Sequence, residues 1–474
     1  WLHVNHYTDF LARNQFILRQ GTGRIDLAVY RQSYEEIIDF NHAVKLYDDD
    51  GLLEQNGYTY DFISPSALAL SQTQAAETQH EPRRAVLAPD GPAYKALILD
   101  NQNFLPYETA LRLREFASEG LPVLFVGSLP QQPAFHLEKE IAPLIEEMLL
   151  LPWVKQVNSV QEVPAILEEL QILPNARYHK RSRILNVCRH TPETDFYYFY
   201  NYGDADTYPQ AQEMPAQDTP VTLSGKGLPC LLDTWSGSIH PVAAYQEGDE
   251  NVTISLHLEP NESCVIALTQ NPACLGLDIP SLHTEDLTIR AEYDTSGNLY
   301  EKAFTGCSLP LENWKLTLEK WSDSPIPSES IKTIFTYDHL DSLVPWKELP
   351  GQENASGTGI YETSFILEKA WEDNTGYVLK LGEICDSFSL MVNHREIPAN
   401  QSSSYVDISP FLHRGENTLT ITIASTLLNA LLDYTSRNAI TYHKWQDEIR
   451  VPDAYGLWGE VYLLPYEKKM LSSL

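Results

Sequence analysis

The spacing of apolar residues changes character once along this chain, near Asn175, and that change restricts it to a composite fold. Before it, short apolar runs alternate with segments of helical periodicity. Asp26-Leu-Ala-Val-Tyr30, Tyr94-Lys-Ala-Leu-Ile-Leu-Asp100 and Pro122-Val-Leu-Phe-Val126 have the length and apolarity of strands covered on both faces. Between them, Pro106 opens a helix predicted over 106–119, with Ala110, Leu113 and Ala117 on one face and Gly120 as its stop. Residues 138–150 and 160–170 repeat the helical pattern. Strand–helix–strand units close almost always as right-handed parallel crossovers, so residues 21–175 are expected to form an α/β layer. Residues 1–20 read as one amphipathic helix: Tyr7, Phe10, Leu11, Ile17 and Leu18 fall at helical spacing and Gly21 ends it.

After Asn175 the helical period disappears and short alternating strands take over. Ile184-Leu-Asn-Val-Cys188, Phe196-Tyr-Tyr-Phe-Tyr200, Val252-Thr-Ile-Ser-Leu256 and Ser263-Cys-Val-Ile-Ala-Leu268 are separated by Pro, Gly, Asp and Asn. A β-sandwich over 176–310 is the expectation. A third block, 311–474, opens with Trp314-Lys-Leu-Thr-Leu318, passes a Ser- and Pro-rich loop at 322–330, and continues in strands to Glu460-Val-Tyr-Leu-Leu464. It reads as a jelly roll.

Charge narrows the partners. The chain carries 65 Asp plus Glu against 33 Lys plus Arg, a formal net charge of −32. Such a surface repels nucleic-acid phosphates and anionic membranes, so no nucleic acid and no membrane are expected as partners; a neutral glycan meets no repulsion. No run of 18 or more apolar residues occurs. The chain opens on Trp1 with no charged and apolar leader behind it, which reads as an internal start: the chain is cut from a longer precursor, or its gene model is incomplete. Six cysteines occur, none as a C-x-x-C pair, which speaks against a zinc or redox motif. Cys264 and Cys274 are the closest pair for a disulfide; buried free thiols are the equal alternative. Sequons at Asn251, Asn261, Asn354 and Asn400 permit secretion without arguing for it.

Few residues form a reactive pattern. Asp48-Asp-Asp50 reads as a solvated turn, because it lacks the alternating spacing that wraps oxygen ligands around calcium. The α/β layer is flavodoxin-like or glutaminase-like, and the latter kind needs a nucleophile on a tight strand-to-helix turn. Behind Val126 the chain runs Gly127-Ser-Leu-Pro130; Pro130 and the missing second Gly spoil that elbow, so Ser128 is not taken as catalytic. Gly21-Thr-Gly23 and Gly357-Thr-Gly359 are incomplete phosphate loops. His443 stands isolated and reads as an ordinary histidine. No catalytic residue and no metal ligand is assigned.

The stretch 429–458 is different. It is a long insertion between two strands, holding Tyr434, Arg437, Asn438, Tyr442, Trp445, Asp453, Tyr455 and Trp458. Sugars need aromatic faces for their C–H surfaces and planar polar groups for their hydroxyls, and this stretch supplies both. Tyr434, Arg437, Trp445, Tyr455 and Trp458 are therefore the candidate carbohydrate-binding residues, against the plainer reading that the insertion packs over the sandwich. Trp235 and Trp346 admit the same two readings.

Gly357-Thr-Gly-Ile-Tyr-Glu-Thr-Ser-Phe365, Asp386-Ser-Phe-Ser-Leu-Met-Val-Asn393, Leu412-His-Arg-Gly-Glu-Asn-Thr-Leu419 and Tyr455-Gly-Leu-Trp-Gly-Glu-Val461 resemble strands of the galactose-binding-like jelly rolls of β-galactosidase-like enzymes. Upstream, residues 10–31, Gly57-Tyr-Thr-Tyr-Asp-Phe-Ile-Ser64 and Leu232-Asp-Thr-Trp-Ser-Gly-Ser-Ile239 resemble glycoside hydrolase family 106, the α-L-rhamnosidase-like group. That resemblance implies an inverting hydrolase of terminal L-rhamnosides, with a carboxylate pair on a (β/α)₈ barrel and Ca²⁺ nearby. It also implies that residues 1–20 are a remnant or linker helix following a barrel that precedes this chain. No family carboxylate maps onto this sequence. The expectation is thus the accessory, non-catalytic portion of a secreted glycosidase, needing no cofactor of its own, with carbohydrate and the missing catalytic barrel as partners. The alternative is a stand-alone carbohydrate-binding or structural β-sandwich protein.

Overall fold

The computed structural model describes residues 2–31, 52–70, 72–77, 84–134, 138–201, 216–280, 282–326, 328–371, 374–437 and 452–471. They group into two compact units. One holds Asn14–Asp233 and Ile239–Thr288; the other holds Trp1–Arg13, Thr234–Ser238 and Ile289–Leu474.

The first unit contains a five-stranded parallel sheet in the order Val154–Val157, Val123–Val126, Ala96–Asp100, Leu27–Tyr30, Tyr60–Ile63. Its three central strands are almost wholly apolar because both faces are covered, and their consecutive residues feed opposite cores, whereas the edge strands carry Asp61, Lys155 and Gln156. Ala28, Tyr30, Leu97, Leu99, Val123 and Phe125 pack with the helices Tyr107–Ser118 and Ala142–Leu149. Leu27, Ala96, Ile98, Leu124 and Val126 point the other way, onto Val163 and Leu167 of the helix Val163–Glu169. Pro106 stands at the N-cap of Tyr107–Ser118, and Gly120, at φ +103°, turns the chain out of it.

The same unit contains two antiparallel sheets that share one core. The larger runs Thr22–Arg24, Ile184–His190, Thr194–Asn201, Ser263–Thr269, Leu228–Leu232, Ile239–Pro241. The smaller runs Ala176–Tyr178, Gln217–Ser224, Asn251–Leu258, Tyr245–Glu247. Tyr197, Phe199, Val265 and Ala267 of one meet Val221, Leu223, Ile254 and Leu256 of the other. The expected division at 175/176 is therefore not a break between separate bodies. Thr22–Arg24, placed by its sequence position in the α/β layer, hydrogen-bonds as the edge strand of the larger sandwich sheet.

The second unit is built from two six-stranded antiparallel sheets. One contains Ala291–Tyr293, Leu299–Phe304, Tyr462–Met470, Thr375–Lys380 and Tyr405–Asp407 in that order, with Leu309–Pro310 also on Tyr462–Met470. The other runs Ser330–Leu340, Trp314–Asp323, Gly357–Leu367, Gly415–Ala424, Ser387–Val392, Arg395–Ile397. The boundary expected at 310/311 is corrected here. Leu299–Phe304 pairs residue for residue with Tyr462–Met470, so 289–310 belongs with the C-terminal block. The segment 1–20 is likewise not a unit of its own: the helix Val4–Leu18 forms as expected, but its residues up to Arg13 group with the C-terminal block.

Trp346 organises the core of the second unit. It is fully buried and donates from Nε1 to the Tyr361 hydroxyl at 2.8 Å. Two glycines lie against its indole: a Cβ built on Gly359 would stand 2.6 Å from Cζ2, and one on Gly456 2.6 Å from Nε1. Trp346 is thus a core residue, and the glycan reading does not hold for it. At the start of the chain, His3 is buried and its Nδ1 lies 3.0 Å from Ser387 Oγ; burial first, then the neighbouring His6, lowers its pKa to about 4. An ionic knot lies in the sheet of Tyr462–Met470. Lys302 Nζ is 2.7 Å from Glu292 Oε1 and 2.6 Å from Asp407 Oδ2, while the Tyr466 and Ser409 hydroxyls donate to Asp407. Burial pushes the Asp407 carboxyl up, but Lys302 and the Ser409 bonds more than offset it and hold it below the usual range.

Among the described residues no helix is long and apolar enough to cross a membrane, a statement about helices only.

Candidate functional site

The insertion between Gly415–Ala424 and the strand Gly456–Trp458 begins with a helix, Leu428–Arg437, rather than a loop. Its first turn is pinned from inside. Asn429 is buried, donates from Nδ2 to the Asp453 carbonyl at 3.0 Å and accepts from the Asp453 amide at 2.8 Å. The Ala430 amide donates to Ser356 Oγ at 3.2 Å. These bonds fix one helix face against the sheet and turn the other outward.

The outward face carries two kinds of group. Leu427, Leu431 and Tyr434 recur at i, i+4 and i+7 and stay exposed, Tyr434 at 37%. Beside them Arg437 donates to Asp433 at 2.9 Å, one turn back, and to Asp323 at 2.6 Å on the end of Trp314–Asp323. Asn354 Nδ2 reaches Asp433 Oδ1 at 3.3 Å. The hydrogen bond from Arg437 holds the Asp323 carboxyl below its usual range, and the two aspartates raise the guanidinium in turn. A general acid needs its pKa raised instead, so this trio is suited to hold hydroxyls and not to protonate a leaving group. The surface is an apolar and aromatic strip bordered by planar polar groups.

Of the five residues predicted to touch sugar, the structure brings Tyr434 and Arg437 together on this helix. Trp458 lies half-buried on a separate two-stranded ladder with Glu383–Cys385. Tyr455 is corrected: it is 1% exposed, its ring packs edge-on to Trp346 with centroids 6.4 Å apart, and its hydroxyl bonds Thr426 Oγ1, which leaves no ring face for a ligand. Trp445 lies outside the described residues, as do Asn438, Tyr442, His443 and Asp48-Asp-Asp50. Trp235 is also no sugar platform. Phe10 stacks on it at 4.0 Å, Tyr7 meets it edge-on at 5.4 Å, and Arg13 grips its carbonyl at 2.7 Å. Sequence reasoning missed Asp323, Asp433 and Asn354. The i, i+4 spacing of Asp433 and Arg437 was a readable signal; the pairing with Asp323, far away in the chain, was not.

Elsewhere, Ser128 Oγ donates to Asn103 Oδ1 at 2.7 Å and serves its own turn. All six cysteines are free thiols, so the Cys264–Cys274 bridge does not form. Cys264 sits in a sandwich strand, while Cys274 is exposed against Asn271 and Glu193. Among the described residues no three of His, Cys, Asp and Glu converge to hold a metal.

Comparison with known proteins gives three findings. A family model for alpha-L-rhamnosidase, glycoside hydrolase family 106, matches residues 1–242. The structure of a rhamnosidase from Novosphingobium sp. PP1Y superposes with a TM-score of 0.63 at 18% identity, covering 97% of this chain and 41% of that one. A curated protein of Formosa agariphila that carries the name beta-glucuronidase is 22% identical over 270 residues, 56% of this chain and 21% of that protein. The chain thus spans less than half the length of either relative.

Proposed function

This chain belongs to the alpha-L-rhamnosidase family of glycoside hydrolases, family 106, and from that premise we propose that it forms the glycan-handling, non-catalytic part of a secreted enzyme that removes terminal L-rhamnose from polysaccharide. The observation that carries the proposal is the outward face of Leu428–Arg437, where Tyr434 and the apolar strip lie beside the Arg437–Asp323–Asp433 trio. A pyranose offers one C–H face and a rim of hydroxyls; Tyr434 takes the first and the trio takes the second. In this reading the five-stranded parallel sheet is a flavodoxin-like layer, the C-terminal block is a galactose-binding-like jelly roll, and both flank a barrel that carries the reacting carboxylates and calcium. The fold-level coverage leaves room for such a barrel in a longer enzyme: nearly the whole chain superposes on less than half of the rhamnosidase. Bond cleavage then belongs to that barrel, and the residues described here bind and orient glycan.

Calorimetric titration with rhamnose-terminated oligosaccharides tests this. The chain should bind them, and Tyr434→Ala should weaken binding by about 1 kcal/mol, roughly fivefold, with Arg437→Ala of similar size. The same preparation should leave aryl rhamnosides uncleaved. Turnover of an aryl rhamnoside by this chain, or binding indifferent to both substitutions, would overturn the proposal.

A further inference from the structure

A second concave site lies within the first unit, between the α/β layer and the sandwich sheets. It is a cleft of about 1060 Å³, near the upper end of the roughly 300–1,000 Å³ typical of small-molecule sites. Pro89, Pro92, Ile172 and Leu173 supply apolar wall. Arg24, Arg84, Lys95 and His190 also line it, in a chain with nearly twice as many acidic as basic residues.

The charges in this cleft are not equivalent. Lys95 is fully committed: Nζ donates to Asp26 Oδ1, the Leu173 carbonyl and Asn175 Oδ1, each at 2.8 Å. Asp195 is committed to His190, whose Nδ1 lies 2.6 Å away. Burial pushes the Asp195 carboxyl up, and His190 and then the charge of Arg24 only partly offset this. Arg24 and Arg84 differ from both. Arg24 donates from Nη1 to the carbonyls of Gly91, at 2.6 Å, and Pro89, at 3.3 Å. Arg84 donates from Nη1 to the Leu170 carbonyl. Neutral carbonyls orient a guanidinium without neutralising it. Among the described residues no carboxylate lies within ion-pair distance of either arginine, although Arg24 is near enough to act on the Asp195 carboxyl, and the bonds of both run through Nη1 to carbonyls. Burial alone lowers the Arg84 pKa, as expected of a cation withdrawn from water without a counter-charge.

We propose that this cleft binds a small ligand bearing an oxyanion, with Arg24 and Arg84 gripping its oxygens and the proline and aliphatic wall taking its carbon skeleton. The guanidinium fork matches carboxylate, phosphate and sulfate oxygens alike, and low-dielectric walls strengthen the attraction. The site is independent of the helix Leu428–Arg437, so the two assignments stand or fall separately.

Calorimetry on the full chain at low ionic strength, with glucuronate, inorganic phosphate, inorganic sulfate and glucose as probes, tests it. Glucuronate differs from glucose in its carboxylate. At least one anion should bind about tenfold or more tightly than glucose and weaken as sodium chloride is raised. Preference for glucuronate assigns a carboxylated sugar; preference for phosphate or sulfate assigns a tetrahedral oxyanion. Arg24→Gln and Arg84→Gln, each checked for folding by circular dichroism, should lower that affinity about tenfold. If no anion outbinds glucose on the unmodified chain, or if both folded variants bind the anion as the parent does, the site is refuted. The first comparison needs no variant, so it stands even if Arg84→Gln unfolds.

Discussion

The glycine pair around Trp346 makes the sharpest stability prediction, because three alanine substitutions separate its components. At Gly359 the new Cβ would stand 2.6 Å from Trp346 Cζ2, about an ångström inside normal carbon contact at roughly 3.5–4.0 Å. The indole cannot retreat freely, since it is fully buried in a packed core and its Nε1 bond to Tyr361 fixes it. Overpacking at about 1–3 kcal/mol plus loss of a buried hydrogen bond at about 1 kcal/mol gives about 2–4 kcal/mol for Gly359→Ala. Gly456→Ala meets the same ring at 2.6 Å and also forces a side chain to φ +108°, which adds about 1–3 kcal/mol. Gly415, at φ +101° with nothing within 4 Å, supplies the backbone part alone. Hydrogen exchange of the amides in Gly357–Leu367 reads the local opening free energy. The expected order of destabilisation is Gly456→Ala largest, then Gly359→Ala, then Gly415→Ala. A Gly359→Ala protein within about 0.5 kcal/mol of the parent, or Gly456→Ala no worse than Gly415→Ala, would show that Trp346 is not wedged as described.

Two further predictions concern charge. Lys302→Met strips Asp407 and Glu292 of their counter-ion in a setting where Lys302 is only 10% exposed, and should destabilise the second unit by about 3–5 kcal/mol. Adding Asp407→Asn to that variant should recover part of the loss in urea unfolding; a double variant as unstable as the sum would mean the knot carries no coupling. His3 should make the second unit acid-sensitive. Its folded pKa of about 4 lies below the unfolded 6.5, so the unfolded chain takes the proton first. The contribution is complete above about pH 6.5 and drains away as pH falls toward 4, by at most about 3 kcal/mol. His3→Gln should flatten that part of the stability profile, and an unchanged slope would argue against the assignment.

What could be read from the sequence follows from how local each determinant is. Ala96–Asp100 and Val123–Val126 are legible because strands buried on both faces need unbroken apolar runs. Gln217–Ser224 was missed because Pro220 interrupts it, although it pairs along its whole length with Asn251–Leu258. Ser330–Leu340 was missed because it is an edge strand with most of its residues exposed, so no buried face imprints an alternation. Trp346 and Tyr455 show the limit for site prediction. An aromatic residue near an insertion suits a sugar platform and a core equally, and only the partner across the core decides. The pairing of Arg437 with Asp433 could have been read from its helical spacing and was not, whereas its second partner, Asp323, comes from a hairpin end whose proximity no local pattern encodes.

The strand Tyr462–Met470 sits between Leu299–Phe304 and Thr375–Lys380 and so holds the middle of its sheet. During synthesis, at about 5–20 residues per second, the flanking strands emerge many seconds before the one that joins them. Until then each has an unsatisfied edge, so this unit must wait for its last strand to clear the ribosome. A nascent chain arrested before Tyr462 should therefore bind holding chaperones and be cut readily by protease across 289–461, while one released past Met470 should resist.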